Sequence, residues 1–198
     1  MQRSVHSPYR RLAAMGMLSA VSIVLFLVFR FPMFLNFLIY EPADVGLMIA
    51  GFALGPAAGL ICTAVVCVLQ APLHPEGGWF GALMHFISSG ALVAVSSLVY
   101  SRFRTRKGAY VGLLAGSAAM VGAMIPANLI LTPVFYHLSR ADVWAIIGPI
   151  ISFNLVKAGV NAMITAFAYK PLSRYIRGYA EGGSGMPRAS RQDESAAR

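Results

Sequence analysis

The sequence predicts an all-α integral membrane protein, a bundle of six transmembrane helices with both termini in the cytoplasm. Three observations carry that prediction. Hydrophobic residues make up 58% of the 198 and charged residues only 12%, against roughly 25% charged in ordinary soluble domains. The apolar residues fall in long runs rather than at amphipathic spacing, and about 20 residues at 1.5 Å rise cross the hydrocarbon core. The basic residues gather beside those runs, which makes the net charge of +9 a topology signal and an attraction to anionic headgroups, not a sign of nucleic-acid binding.

Five runs are long enough to span: 12–29, 57–71, 79–100, 109–131 and 145–169. The first exceeds a signal-peptide core and has no small-residue cleavage site after it, so it is read as a mature helix. Residues 31–54 are apolar and aromatic but broken by Glu41-Pro42-Ala43-Asp44. Charge decides how that stretch is read. Arg3, Arg10 and Arg11, then Arg102, Arg104, Arg106 and Lys107, then Lys170, Arg174 and Arg177 all belong inside under the positive-inside bias. The number of crossings is then even, and 44–54 must cross as well. Arg30, Glu41, Asp44, Glu76, Arg140 and Asp142 fall outside. The chain divides into a cytoplasmic segment 1–11, a six-helix membrane domain 12–176, and a disordered tail 177–198 rich in Gly, Ser, Ala and charge.

Gly55-Pro56 suits a turn between helices, with glycine ending one and proline opening the next. Small residues repeat every four positions at Gly51/Gly55/Gly59, Gly112/Gly116 and Gly16/Ala20, a spacing that lets helices approach closely. Most of these pairs are read as intramolecular packing, while Gly16 and Ala20 have the alternative of facing another subunit. Cys62 and Cys67, five apart in an apolar run, are expected to be buried free thiols.

Lys157 is the one charge inside the five long runs. An ammonium at bilayer depth costs about 2.5–3.5 kcal/mol on insertion scales, so it needs a partner or a purpose. Asn154, Lys157, Asn161 and Thr165 fall on one narrow helical stripe, and Asn128 with Thr132 sits towards the outer end of the preceding helix. Two adjacent helices are thus expected to present amide and ammonium donors to one outward-facing cavity. The competing reading is a snorkelling lysine with asparagines pairing between helices. Phe29, Phe31, Phe34, Phe37 and Tyr40, with Asn36, Glu41 and Asp44 nearby, supply aromatic surface that serves as a membrane anchor or as a pocket wall. His85 precedes Ser88 and Ser89 but has no nucleophile turn, so it is read as a packed, hydrogen-bonded histidine and the protein as a non-enzyme. His74 and His137 lack zinc spacing, and no phosphate-binding GxxxxGK[ST] loop is present.

Residues 12–176 together resemble the substrate-binding S components of energy-coupling factor (ECF) vitamin transporters, most closely the riboflavin-specific branch. The resemblance rests on the order and spacing of Glu41-Pro42-Ala43-Asp44-Val45, the run from Gly51 through Gly55-Pro56 to Gly59, Thr105-Arg106-Lys107-Gly108-Ala109, Asn128-Leu129-Ile130-Leu131-Thr132-Pro133 and Phe153-Asn154-Leu155-Val156-Lys157. It implies a six-helix subunit of a prokaryotic cell membrane that captures a vitamin from outside. Riboflavin, or a close flavin, would be transported cargo rather than a cofactor. Asn128, Asn154 and Lys157 match the family's flavin-binding residues; Asn161 and Asp44 join them as candidate ligand contacts. Gly16 and Ala20 match the spacing through which the first helix docks on a transmembrane coupling subunit, which two ATPase subunits would drive. Ala82 and His85 stand where many riboflavin members carry Glu and Asn, so another vitamin is the alternative cargo.

Overall fold

The structure is a computed structural model that describes residues 8–73 and 77–180. Its elements are α1 (Pro8–Val28), β1 (Phe31–Met33), β2 (Leu35–Tyr40), α2 (Asp44–Leu54), α3 (Pro56–Gln70) followed by a 3-10 turn (Ala71–Leu73), α4 (Gly78–Arg102), α5 (Arg106–Tyr136), α6 (Arg140–Ala145) and α7 (Ile147–Ala180). Among the described residues, α1, α3 with its 3-10 turn, α4, α5 and the 147–169 part of α7 are long and apolar enough to cross a membrane. Their outward faces carry large apolar side chains such as Leu114, Val134 and Phe167, all more than 70% exposed. Water would penalise so much uncovered apolar surface, whereas lipid tails solvate it.

Helix α2 has the bounds the charge argument gave it, yet its 11 residues rise only about 16 Å, short of the roughly 30 Å hydrocarbon core. It is apolar on every side apart from Asp44, and a helix of that kind belongs in the interior. Every residue from Asp44 to Phe52 is buried, and α2 packs against α1, α3, α4 and α7. The all-α expectation also missed an antiparallel hairpin: β1 pairs with β2 in the register Phe31↔Tyr40 and Pro32↔Ile39. Its tip residue Phe34 has φ 65°, a left-handed conformation with no glycine to announce it. Further differences lie at the ends. Helix α1 already includes residues 8–11 and α7 runs to Ala180, so residues 177–180 are helical where the sequence suggested a disordered tail. The rest of both end segments, with His74 and Glu76, lies outside the described residues.

The small-residue pairs divide by role. A Cβ on Gly112 would meet the Ser96 carbonyl at 2.6 Å, one on Gly116 the Leu92 carbonyl at 2.6 Å, and one on Gly59 the Gly51 Cα at 2.8 Å. These glycines let α5 approach α4 and α3 approach α2 backbone to backbone. Gly16 would meet nothing within 4 Å, and both Gly16 and Ala20 are exposed. Helix α1 turns Ala14, Leu18, Ser22 and Phe26 inward instead. Cys62 and Cys67 are buried and free.

Candidate ligand-binding site

A partly open cavity with a free interior of about 110 Å³ lies between β2, the start of α4, the C-terminal half of α5 and α7. Apolar walls come from Leu38 and Ile39 of the hairpin, Phe80 and Met84 of α4, Tyr136 of α5 and Phe153 of α7. Phe80 stacks on Phe135 with ring centroids 4.1 Å apart and meets Tyr136 edge-on at 5.8 Å. Of the aromatics considered as pocket walls, Phe29, Phe31 and Phe34 are about half exposed and do not line the cavity, and the Phe37 side chain lies outside the described residues. Tyr40 is buried below the cavity, where its hydroxyl donates to Asn161 Oδ1 at 3.0 Å. Period alone could not say which face of a short strand would be covered.

Asn128, Asn154 and Lys157 do converge on this cavity, as their helical spacing predicts. Each asparagine uses one amide hydrogen within its own helix. Asn128 Nδ2 donates to the Met124 carbonyl and Asn154 Nδ2 to the Ile150 carbonyl, each at 2.8 Å and each four residues back along its own helix. The side chains thereby turn oxygens towards neighbours. Asn128 Oδ1 accepts from Thr132 at 3.0 Å. Asn154 Oδ1, in a residue 1% exposed, has no partner among the described residues. Pro126 and Pro133 sit inside α5 on either side of Asn128 and Thr132.

Lys157 neither snorkels nor stands alone. It is 4% exposed, and its Nζ donates to Glu41 Oε1 at 2.6 Å with Asp44 Oδ2 at 3.9 Å. The two acids assigned to an outer loop are instead buried, at 2% and 0% exposure. Glu41 lines the cavity; Asp44 and Asn161 do not. They form a layer beneath it, in which Asn161 Nδ2 donates to Asp44 Oδ2 at 2.9 Å and Ser89 donates to Asp44 Oδ1. His85 joins the layers. Its Nε2 lies 3.3 Å from Asp44 Oδ1, and its Nδ1 lies 3.4 Å from Glu41 Oε1 without hydrogen-bond geometry. The histidine is packed and hydrogen-bonded as expected, and it also lines the cavity. Ser88 donates to the His85 carbonyl rather than pairing with the ring. Thr165, lower on the stripe, is buried beside Met48, 4.0 Å from its sulfur.

Long apolar helices around a polar-floored internal cavity define a multi-helix membrane protein with a small-molecule pocket. Residues 10–169 match the family described as "ECF transporter, substrate-specific component", and the chain belongs to that family. It is 30% identical over 161 residues to "Riboflavin transporter FmnP" of Bacillus subtilis (strain 168), covering 80% of this chain and 82% of that protein. Over 176 residues it is 27% identical to "Riboflavin transporter RibU" of Staphylococcus aureus (strain TCH60), covering 85% and 93%. A solved structure described as "Structure and mechanism of the S component of a bacterial ECF transporter" superposes with a TM-score of 0.76 at 25% identity, covering 86% of this chain and 99% of that one.

Proposed function

We propose that this chain captures riboflavin, or a close flavin, as the substrate-binding subunit of an ECF-type importer rather than as an enzyme. The cavity that brings Asn128, Asn154 and Lys157 together between apolar walls carries this reading, and both curated relatives are named riboflavin transporters. A flavin suits such a site chemically. Its flat ring matches Phe80, Tyr136 and Phe153, and its carbonyls match the Lys157 ammonium.

On this reading the cavity faces outward, both termini are cytoplasmic, and the hairpin with α2 completes the sixth crossing. The uncovered Gly16/Ala20 face of α1 docks on a membrane-embedded coupling subunit, and two ATPase subunits supply the energy. Protein purified in detergent from riboflavin-containing medium is expected to be yellow and to quench flavin fluorescence on titration. A colourless protein that leaves the fluorescence unchanged rejects the ligand.

A second reading, an S component for a smaller solute, draws support from the cavity's free interior of about 110 Å³. Small-molecule pockets usually hold roughly 300–1,000 Å³, so a flavin would have to extend into the mouth or push the hairpin aside. A vitamin screen by thermal shift separates the two readings, because a tight ligand stabilises the folded state.

A further inference from the structure

We propose that Asp44 is a positioning residue, the permanent counter-charge that holds Lys157 at the cavity floor, while Glu41 is an exchangeable partner that yields Lys157 to the ligand. The inference takes the cavity as the ligand site, the reading given above. It starts from an asymmetry between the two carboxylates that flank one buried ammonium. Glu41 is the nearer, at 2.6 Å, but it lines the cavity and belongs to the connection between β2 and α2. A ligand seated beside Lys157 meets Glu41 directly.

Asp44 is farther, at 3.9 Å, and closed off from the cavity. It opens the buried helix α2, where the positive end of the helix dipole favours a carboxylate. Donors on two other helices fix it: Ser89 and His85 of α4, and Asn161 of α7. A buried ammonium stripped of its only counter-charge is strongly unfavourable. If Glu41 alone neutralised Lys157, turning it towards a ligand would leave that cation bare. With Asp44 fixed behind it, Lys157 can change hydrogen-bond partners without losing its compensating charge.

The test uses the full chain in detergent, with riboflavin as the probe and four variants: Asp44→Asn, Glu41→Gln, Lys157→Ala and Asp44→Asn/Lys157→Ala. Asp44→Asn is expected to weaken riboflavin binding at least tenfold and Glu41→Gln less than threefold. In the Lys157→Ala background, Asp44→Asn is expected to cost less than twofold further, because its effect acts through that lysine. A merely structural role predicts the same loss with or without Lys157 and overturns the proposal, as does a Glu41→Gln loss exceeding that of Asp44→Asn. Wild-type protein that does not bind riboflavin rejects the ligand assignment instead. The charge assignment is then decided by thermal unfolding without ligand. Asp44→Asn should lower Tm more than Glu41→Gln does, and should lower it much less in the Lys157→Ala background than in the wild type; the opposite ranking, or an equal loss in both backgrounds, overturns it.

Discussion

Lys157 survives inside an apolar helix because two acids from more than 100 residues earlier in the chain reach it. Lys157→Ala removes the cation and leaves Glu41 and Asp44 buried without it, a change that typically costs ~3–5 kcal/mol in a buried pair. Riboflavin affinity is expected to fall by roughly 30-fold or more, read by fluorescence titration; unchanged affinity would remove Lys157 from the site. The stripe of Asn154, Lys157, Asn161 and Thr165 was legible in sequence because a helix converts spacing into direction. All four are at most 4% exposed. The partners were not legible. Glu41 and Asp44 flank a proline at a break in hydropathy, and that pattern ordinarily marks a solvated loop. Their pairing with Lys157 is tertiary and leaves no local trace. Nor does sequence reveal that the two cavity asparagines spend an amide hydrogen on their own helices.

At the scale of elements, the α4–α5 crossing depends on absent side chains. Gly116→Ala places a Cβ 2.6 Å from the Leu92 carbonyl, and relieving that overlap is expected to cost ~1–3 kcal/mol. Gly122→Ala, with nothing within 4 Å, serves as the control; equal melting temperatures for the two variants would contradict the close crossing. Helix α6 yields a pH prediction. Ser139 and Asp142 form a reciprocal capping box, and hydrogen bonds from the Ser139 side chain and backbone hold the Asp142 carboxyl below its ordinary value of 3.8. The folded state therefore favours the ionised form. That contribution is complete above the ordinary carboxylate value and is lost as pH falls through the lowered one. Amide exchange in α6 should keep constant cap-dependent protection from pH 8 to 5 and lose it only in stronger acid, and Asp142→Asn should abolish the dependence. The Ser139-Arg140-Ala141-Asp142 signature stands in the sequence, although Arg140 and Asp142 read there only as outer charges. The hairpin offered no comparable signal, since its turn contains neither Gly nor Asn.

For the molecule as a whole, the five long helices were legible from hydropathy alone, within a few residues at most ends. Charge bias then located α2, the one helix too short to announce itself as a span. Its complete burial was not legible, because the count of crossings says nothing of which helix the others surround. The face left uncovered on α1 gives the assembly-level prediction. A Cβ on Gly16 meets nothing within 4 Å among the described residues, so Gly16→Leu should leave riboflavin binding by the isolated protein unchanged while cellular uptake falls at least tenfold. Uptake that persists at the wild-type rate would place the coupling subunit on another surface.

The two prolines of α5 divide that helix mechanically. Pro126 and Pro133 lack the N–H groups that would bond the carbonyls of Gly122 and Leu129, so the portion bearing Asn128, Thr132 and Tyr136 is bound less tightly to itself than the portion bearing Gly112 and Gly116. The glycine half, locked against α4, acts as a fixed post. The proline half has two fewer such bonds resisting a bend, and on the proposed reading that is where the wall of the pocket would yield to a bulky guest.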